Sequence, residues 1–173
     1  MELDQAIRTA IEYEAGVHRT YQEAMLRASD VKARRFFEVL RDEEMSHLKY
    51  LRERLEEWTR DGKIQVAELD TAVPSREAID LSLQELRREL VPGSAPKGRH
   101  MAELDLLRQA LTAETETSNF YKEMVSTLEG DGRRLFRRFV EIEEGHQAIV
   151  QAEIDSVNGL GVWFDTVELS LEG

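Results

Sequence analysis

Cysteine is absent from this chain of 173 residues. Disulfides, thiol nucleophiles, Cys-ligated zinc and iron–sulfur clusters are excluded with it. Proline (3) and glycine (10) are few. No apolar run approaches the roughly 18–20 residues of a membrane-spanning helix. The sequence has no Gly-rich phosphate loop and no His-Glu-x-x-His, which removes the zinc-protease reading. Its first residues, Met1-Glu2-Leu3-Asp4-Gln5, lack both a basic start and an apolar h-region. A secretory signal is therefore not expected, and a cytoplasmic location is. Basic residues are outnumbered, 23 against 35 acidic, for a formal net charge of −12. Phosphate binding needs a basic face, so nucleic acid is not expected as a partner. The same acidity either attracts cations or only maintains solubility.

The composition that remains, 41% apolar and 34% charged, is ordinary for a soluble protein. The length fits one domain with a sizeable core. Within it one unusual pattern is written twice. The first copy is Glu14, Tyr21 and Glu44-Met45-Ser46-His47; the second is Glu114, Tyr121 and Glu143-Glu144-Gly145-His146. The offset is 100 for the Glu and the Tyr (14 to 114, 21 to 121) and 99 for the Glu-x-x-His pair (44 to 143, 47 to 146).

Four long segments have helical periodicity. Leu3, Ile7, Ala10, Glu14, Val17, Tyr21, Ala24 and Ala28 recur at steps of four and three, the spacing of a buried stripe. Ala33, Phe36, Leu40, Glu44, His47, Leu51 and Trp58 form the second stripe, with a stop at Asp61-Gly62. The third runs from about Met101 to Leu128. The fourth follows Gly130-Asp131-Gly132 and ends near Asn158-Gly159. Short connections at Ser29-Asp30 and at the glycine-rich turn make two antiparallel hairpins. The intervening stretch, Thr59–Arg99, is too long for a simple loop. Part of it reads as a short helix, with Ser75 as N-cap and Ile79, Leu83, Leu86 and Leu90 on one face, broken by Pro92-Gly93. The predicted fold is therefore all-α: residues 1–158 form a four-helix bundle of two hairpins joined by a long crossover (about 59–100) containing a short helix. Residues 159–173, with Val162-Trp163-Phe164, form a tail expected to dock on the bundle or on a second subunit. A flexible tag is the other reading.

All six acids and histidines of the repeat occupy core slots on these stripes. A carboxylate taken from water without a partner costs several kcal/mol or changes its protonation state. Four glutamates in one layer repel one another unless cations hold them. In Glu-x-x-His, positions i and i+3 project from one helix face, so both reach one cluster. A duplicated Glu … Glu-x-x-His set is what a helical bundle needs to hold two metal ions. Carboxylate oxygen with imidazole nitrogen suits iron or manganese, and zinc also binds such a set. Without thiolates, a purely structural zinc site is not expected. The alternative is a bundle whose Glu and His side chains only hydrogen-bond across the core.

Tyr21 and Tyr121 stand two turns beyond Glu14 and Glu114 on the same stripes. They either donate hydrogen bonds that fix the ligand carboxylates or simply pack in the core. His18 has Ser118 as its repeat partner, so the symmetry gives it no support as a ligand. His100 reads as a solvent-exposed loop residue. Glu43 and Glu144, about 100° around the helix from the ligand glutamates, read as surface charges.

At these residues the chain resembles the ferritin-like superfamily, specifically the rubrerythrin-type diiron domain. The likeness spans roughly residues 3–158 and is clearest in Ala10-Ile11-Glu12-Tyr13-Glu14 … Tyr21, Phe36 … Glu44-x-x-His47, Glu114 … Phe120-Tyr121 and Phe136 … Glu143-x-x-His146. The resemblance implies two iron ions, with manganese or zinc as substitutes. Glu44 and Glu143 would bridge both ions, Glu14 and His47 would complete one site, and Glu114 and His146 the other. It also implies reduction of hydrogen peroxide or dioxygen, or oxidation of Fe(II) for storage, in a homodimer or larger assembly. Two departures bear on this. The chain has no Cys-rich rubredoxin segment, and the additional helix-three glutamate of rubrerythrins is Leu111 here. Turnover would therefore need an external electron donor, or Fe(II) itself. The expectation is a diiron oxidoreductase; a ferroxidase that hands on Fe(III) and a non-enzymatic helical interaction module with a vestigial site are the alternatives.

Overall fold

The computed structural model describes residues 1–90 and 100–163, and the described residues form five helices and no strand. They are α1 (Leu3–Arg27), α2 (Val31–Asp61), α3 (Arg76–Glu89), α4 (Met101–Thr127) and α5 (Gly130–Gly159). The expected all-α class is what is found. The Pro92–Gly98 breaker and the tail beyond Trp163, Phe164 included, lie outside the described residues.

Local chemistry sets the ends of the helices. Asp30 caps α2 by accepting from the N–H groups of Lys32 (2.8 Å) and Ala33 (3.3 Å), and this occupies donors that have no partner inside the helix. Gly62 closes the same helix in the left-handed conformation, φ 63°, which a residue with a Cβ rarely adopts. Ser75 caps α3 through Ala78 N–H, as its place after Pro74 suggests. α2 ends at the expected Asp61-Gly62 stop, so the crossover begins at Gly62 rather than at Thr59. One helix start differs from expectation. α5 starts at Gly130, two residues before Gly132, because Gly130 itself makes the turn at φ 56°.

α1 packs along α2, α4 along α5, α1 also meets α4, and α3 lies on α5. Side chains between the long helices form two apolar clusters. One holds Val17 and Tyr21 of α1, Phe36, Phe37 and Leu40 of α2, Leu104 and Leu107 of α4, and Ile149 and Val150 of α5. The other holds Ile7 and Ala10, Tyr50 and Leu51, Phe120 and Tyr121, and Phe136 and Phe139 of the same four helices. Each helix changes cluster at its repeat residues: α1 at Glu14, α2 at Glu44 and His47, α4 at Glu114, and α5 at Glu143 and His146. A polar layer thus divides the core at mid-height.

The crossover is tied down before it reaches α3. Ile64 and Leu69 are buried in the second cluster. Tyr50 donates to Ala67 O, Arg54 to Gln65 O, and Arg138 to Leu69 O. Polar side chains of α2 and α5 therefore satisfy a backbone that has no ladder of its own. At the opposite end, Trp163 is buried beside Phe36 and Phe37, with ring centroids 6.0 Å from each. The first residues after α5 therefore dock on the helices. No helix among the described residues is long and apolar enough to cross a membrane.

Candidate metal centre

Glu14, Glu44, His47, Glu114, Glu143 and His146 all come together in the dividing layer, each with no solvent exposure. They form two groups of four. Glu14, Glu44, His47 and Glu143 make one, and Glu44, Glu114, Glu143 and His146 the other; within each, one donor atom per residue lies within 4.8 Å of the rest. Glu44 and Glu143 belong to both. The two oxygens of Glu44 divide between the histidines, Oε2 lying 3.3 Å from His47 Nδ1 and Oε1 2.9 Å from His146 Nδ1. His47 Nδ1 is also 3.2 Å from Glu14 Oε2, and His146 Nδ1 is 3.5 Å from Glu114 Oε1. The imidazoles stack at 5.3 Å with only 12° between their planes.

The tyrosines cross between the hairpins. Tyr121 on α4 donates to Glu14 Oε1 on α1, and Tyr21 on α1 donates to Glu114 Oε1 on α4. Each hydroxyl approaches the polar layer from a different apolar cluster. Burial, reinforced by the nearby carboxylate charges, holds both phenols well above their ordinary pKa, so they remain donors. Tyr121→Phe leaves Glu14 Oε1 without its donor. It is expected to lower the stability of the metal-free protein by about 1–3 kcal/mol. Urea denaturation of the variant beside its parent reads this directly.

Protons carry much of the charge balance in this layer. Burial, then the charge of Glu14, pushes Glu44 up to about 8. Burial and the charges of Glu114, Glu14 and Glu44 push Glu143 well above the carboxylate range. Burial works against ionisation of Glu14 as well, but His47 and three hydrogen bonds outweigh it and hold Glu14 down to about 2. Glu114 is likewise lowered against burial, chiefly by His146. Burial alone would lower the histidines; Glu44 and Glu14 instead raise His47 to about 10, and Glu114 raises His146.

A test of fit lies in the atoms left over. Both oxygens of Glu143, Oε2 of Glu114 and Nε2 of each histidine are buried without a hydrogen bond. Each unmade bond in such a place costs about 1–3 kcal/mol. Oxygen and imidazole lone pairs concentrated in one dry layer suit a divalent cation, and these buried groups can hold a metal ion.

The remaining candidates divide. His18 on α1 lies outside both groups; partial burial, then Arg41, lowers its pKa. Glu144 is exposed and pairs with Lys122 at 3.2 Å, as a surface charge does. His100 is not a free loop residue: it precedes α4, is half-buried, and sets its ring edge-on to Trp163 at 6.4 Å. Glu43 is the larger correction. It is half-buried under the crossover, with Oε2 3.6 Å from His146 Nε2. Burial opposes its ionisation, but His146 and the donors of Ala72 and Thr71 bring it down to about 2. One signal for this was present in the sequence. The repeat partner of Glu43 is Ile142, an apolar residue, so the position faces inward in at least one copy. No protein-family model, curated protein or solved structure matches the chain.

Proposed function

We propose that the chain is a ferritin-like four-helix bundle of the rubrerythrin type, and a non-haem diiron oxidoreductase that reduces hydrogen peroxide or dioxygen. The observation that carries this reading is the overlap of the two donor groups through Glu44 and Glu143. Two carboxylates common to two sets of ligands are suited to a pair of cations rather than a single one. Two bound irons would supply the two electrons that peroxide takes up, with two protons, on conversion to two waters.

The protein's own part is to hold and to exclude. Glu44 and Glu143 supply negative charge to both positions, while His47 and His146 present neutral nitrogen donors, one to each. Tyr121 and Tyr21 fix the terminal carboxylates of Glu14 and Glu114 in the orientations that leave an oxygen for the ion. Apolar layers above and below, including Phe37, Leu40, Phe136 and Phe139, keep bulk water from the reacting groups. A surface groove of about 520 Å³ lies between α1 and α4, lined by Gly16, Val17, Ala113 and Thr117 among others. Turnover would draw its electrons from an external donor or from Fe(II) itself.

Anaerobic addition of Fe(II) to the metal-free protein is expected to saturate near two per chain, the load of a paired Glu/Glu-x-x-His site. One peroxide should then oxidise one iron pair, with the iron retained and reducible for another cycle. Continued uptake and oxidation of many irons per chain would instead identify a ferroxidase. Absence of tight binding would leave a helical interaction module.

A further inference from the structure

Glu43 sits between the crossover and the centre. Its Oε1 accepts from Ala72 N–H at 2.8 Å and its Oε2 from Thr71 Oγ1 at 2.7 Å. The same Oε2 faces His146 Nε2 at 3.6 Å, a few tenths of an ångström beyond hydrogen-bond length. The opposite edge of that ring, Nδ1, is turned to Glu44 and Glu114. A metal-bound imidazole keeps its proton on the far nitrogen, and a carboxylate accepting that proton fixes both tautomer and ring orientation.

The repeat breaks at this position. In the second copy the equivalent of Glu43 is Ile142, buried and unable to accept. His47 has three carboxylates around Nδ1. Neither its Nε2 nor that of His146 has a hydrogen-bond partner within bonding length, but no ion pair joins His47 to Glu43 as one joins His146, and Phe139 stands edge-on to the His47 ring at 5.5 Å. Glu43 has a donor within 4.8 Å of His47 as well, but only His146 comes within ion-pair distance of it. A third cation among Glu43, His47 and His146 would compete for His146 Nε2, the nitrogen that faces Glu43 and stays protonated when Nδ1 serves the central pair.

We propose that Glu43 is a positioning residue for His146 alone, and that it makes the two halves of the centre unequal: the ion at Glu114 and His146 is the more tightly held. The inference rests on the metal-centre reading above. The crossover takes part, because Thr71 and Ala72 hold the Glu43 carboxylate where the ring needs it.

Cobalt(II) titration of the full chain, followed by visible absorption, is expected to show two resolved steps. Glu43→Gln should weaken the tighter step about 10- to 100-fold and leave the other where it was. In the zinc-loaded parent, the Nε2–H proton of His146 should resonate downfield of that of His47, and should move upfield in E43Q. Equal weakening of both steps, or no weakening, overturns the inference while the metal centre stands. So does a third ion that E43Q alone loses. A parent protein that binds no cobalt overturns both.

Discussion

Manganese(II) at about 100 times its dissociation constant is expected to raise the melting temperature of the metal-free protein by about 10–20 °C near neutral pH. Each filled site at that concentration adds about 2.7 kcal/mol, and a domain of this size gains about 2–4 °C per kcal/mol. The pH dependence of the two forms should then diverge. In the metal-free protein the folded pKa of Glu44 is raised from 4.5 to about 8, and that of His47 from 6.5 to about 10. Glu143 and His146 are raised too. The folded state therefore holds more protons than the unfolded chain between about pH 4.5 and 10, so stability falls as pH rises through that window. Glu14, held down to about 2, works the other way, but only below about pH 4.5. Metal binding needs these groups deprotonated, so its stabilising increment grows with pH. Melts with and without manganese from pH 5 to 9 should give a falling curve and a flatter one, with the gap widest at high pH. Parallel curves would mean that the layer holds protons and no metal.

Glu44→Gln is expected to act in opposite directions on the two forms. A neutral amide of the same shape resembles the protonated carboxyl that burial and Glu14 favour in the metal-free layer. The variant should be at least as stable as its parent without metal, with an advantage that grows between about pH 4.5 and 8 and is constant above the folded pKa it removes. The same change takes one negative charge from both ion positions, since the two Glu44 oxygens face different histidines. Affinity for the pair should fall by about 100-fold or more, beyond what loss of an outer hydrogen-bond partner costs. Glu143→Gln should do the same, because Glu143 also belongs to both groups. Calorimetric titration together with thermal melts separates the effects. Unchanged metal affinity, or a loss of metal-free stability at every pH, would remove Glu44 from the shared position.

The six acids and histidines were legible because they interrupt stripes that are otherwise apolar, and a charge on such a stripe points inward whatever the tertiary detail. The same holds for the five helices, whose periodicity and caps are local. Glu43 was not legible by that route. Its helical angle places it at the edge of the stripe, and only the return of Thr71 and Ala72 over α2, 28 and 29 residues away in sequence, covers it. His100 was misplaced for the same reason: its partner, Trp163, lies at the far end of the chain. The tyrosines were placed on the right stripes, yet a stripe cannot say which hairpin's carboxylate a hydroxyl will reach.

That crossing has a consequence for how the chain can be divided. Tyr21 serves the glutamate of the second hairpin and Tyr121 that of the first. Neither hairpin therefore contains a finished half of the centre, and each supplies what the other lacks. The exchange is reciprocal, as it would be between two like subunits each lending the other a side chain, and the two copies differ at Glu43 and Ile142. A single hairpin of this kind could complete the centre only by pairing with a second. Two halves of the present chain, made separately, would regain the centre only by finding each other.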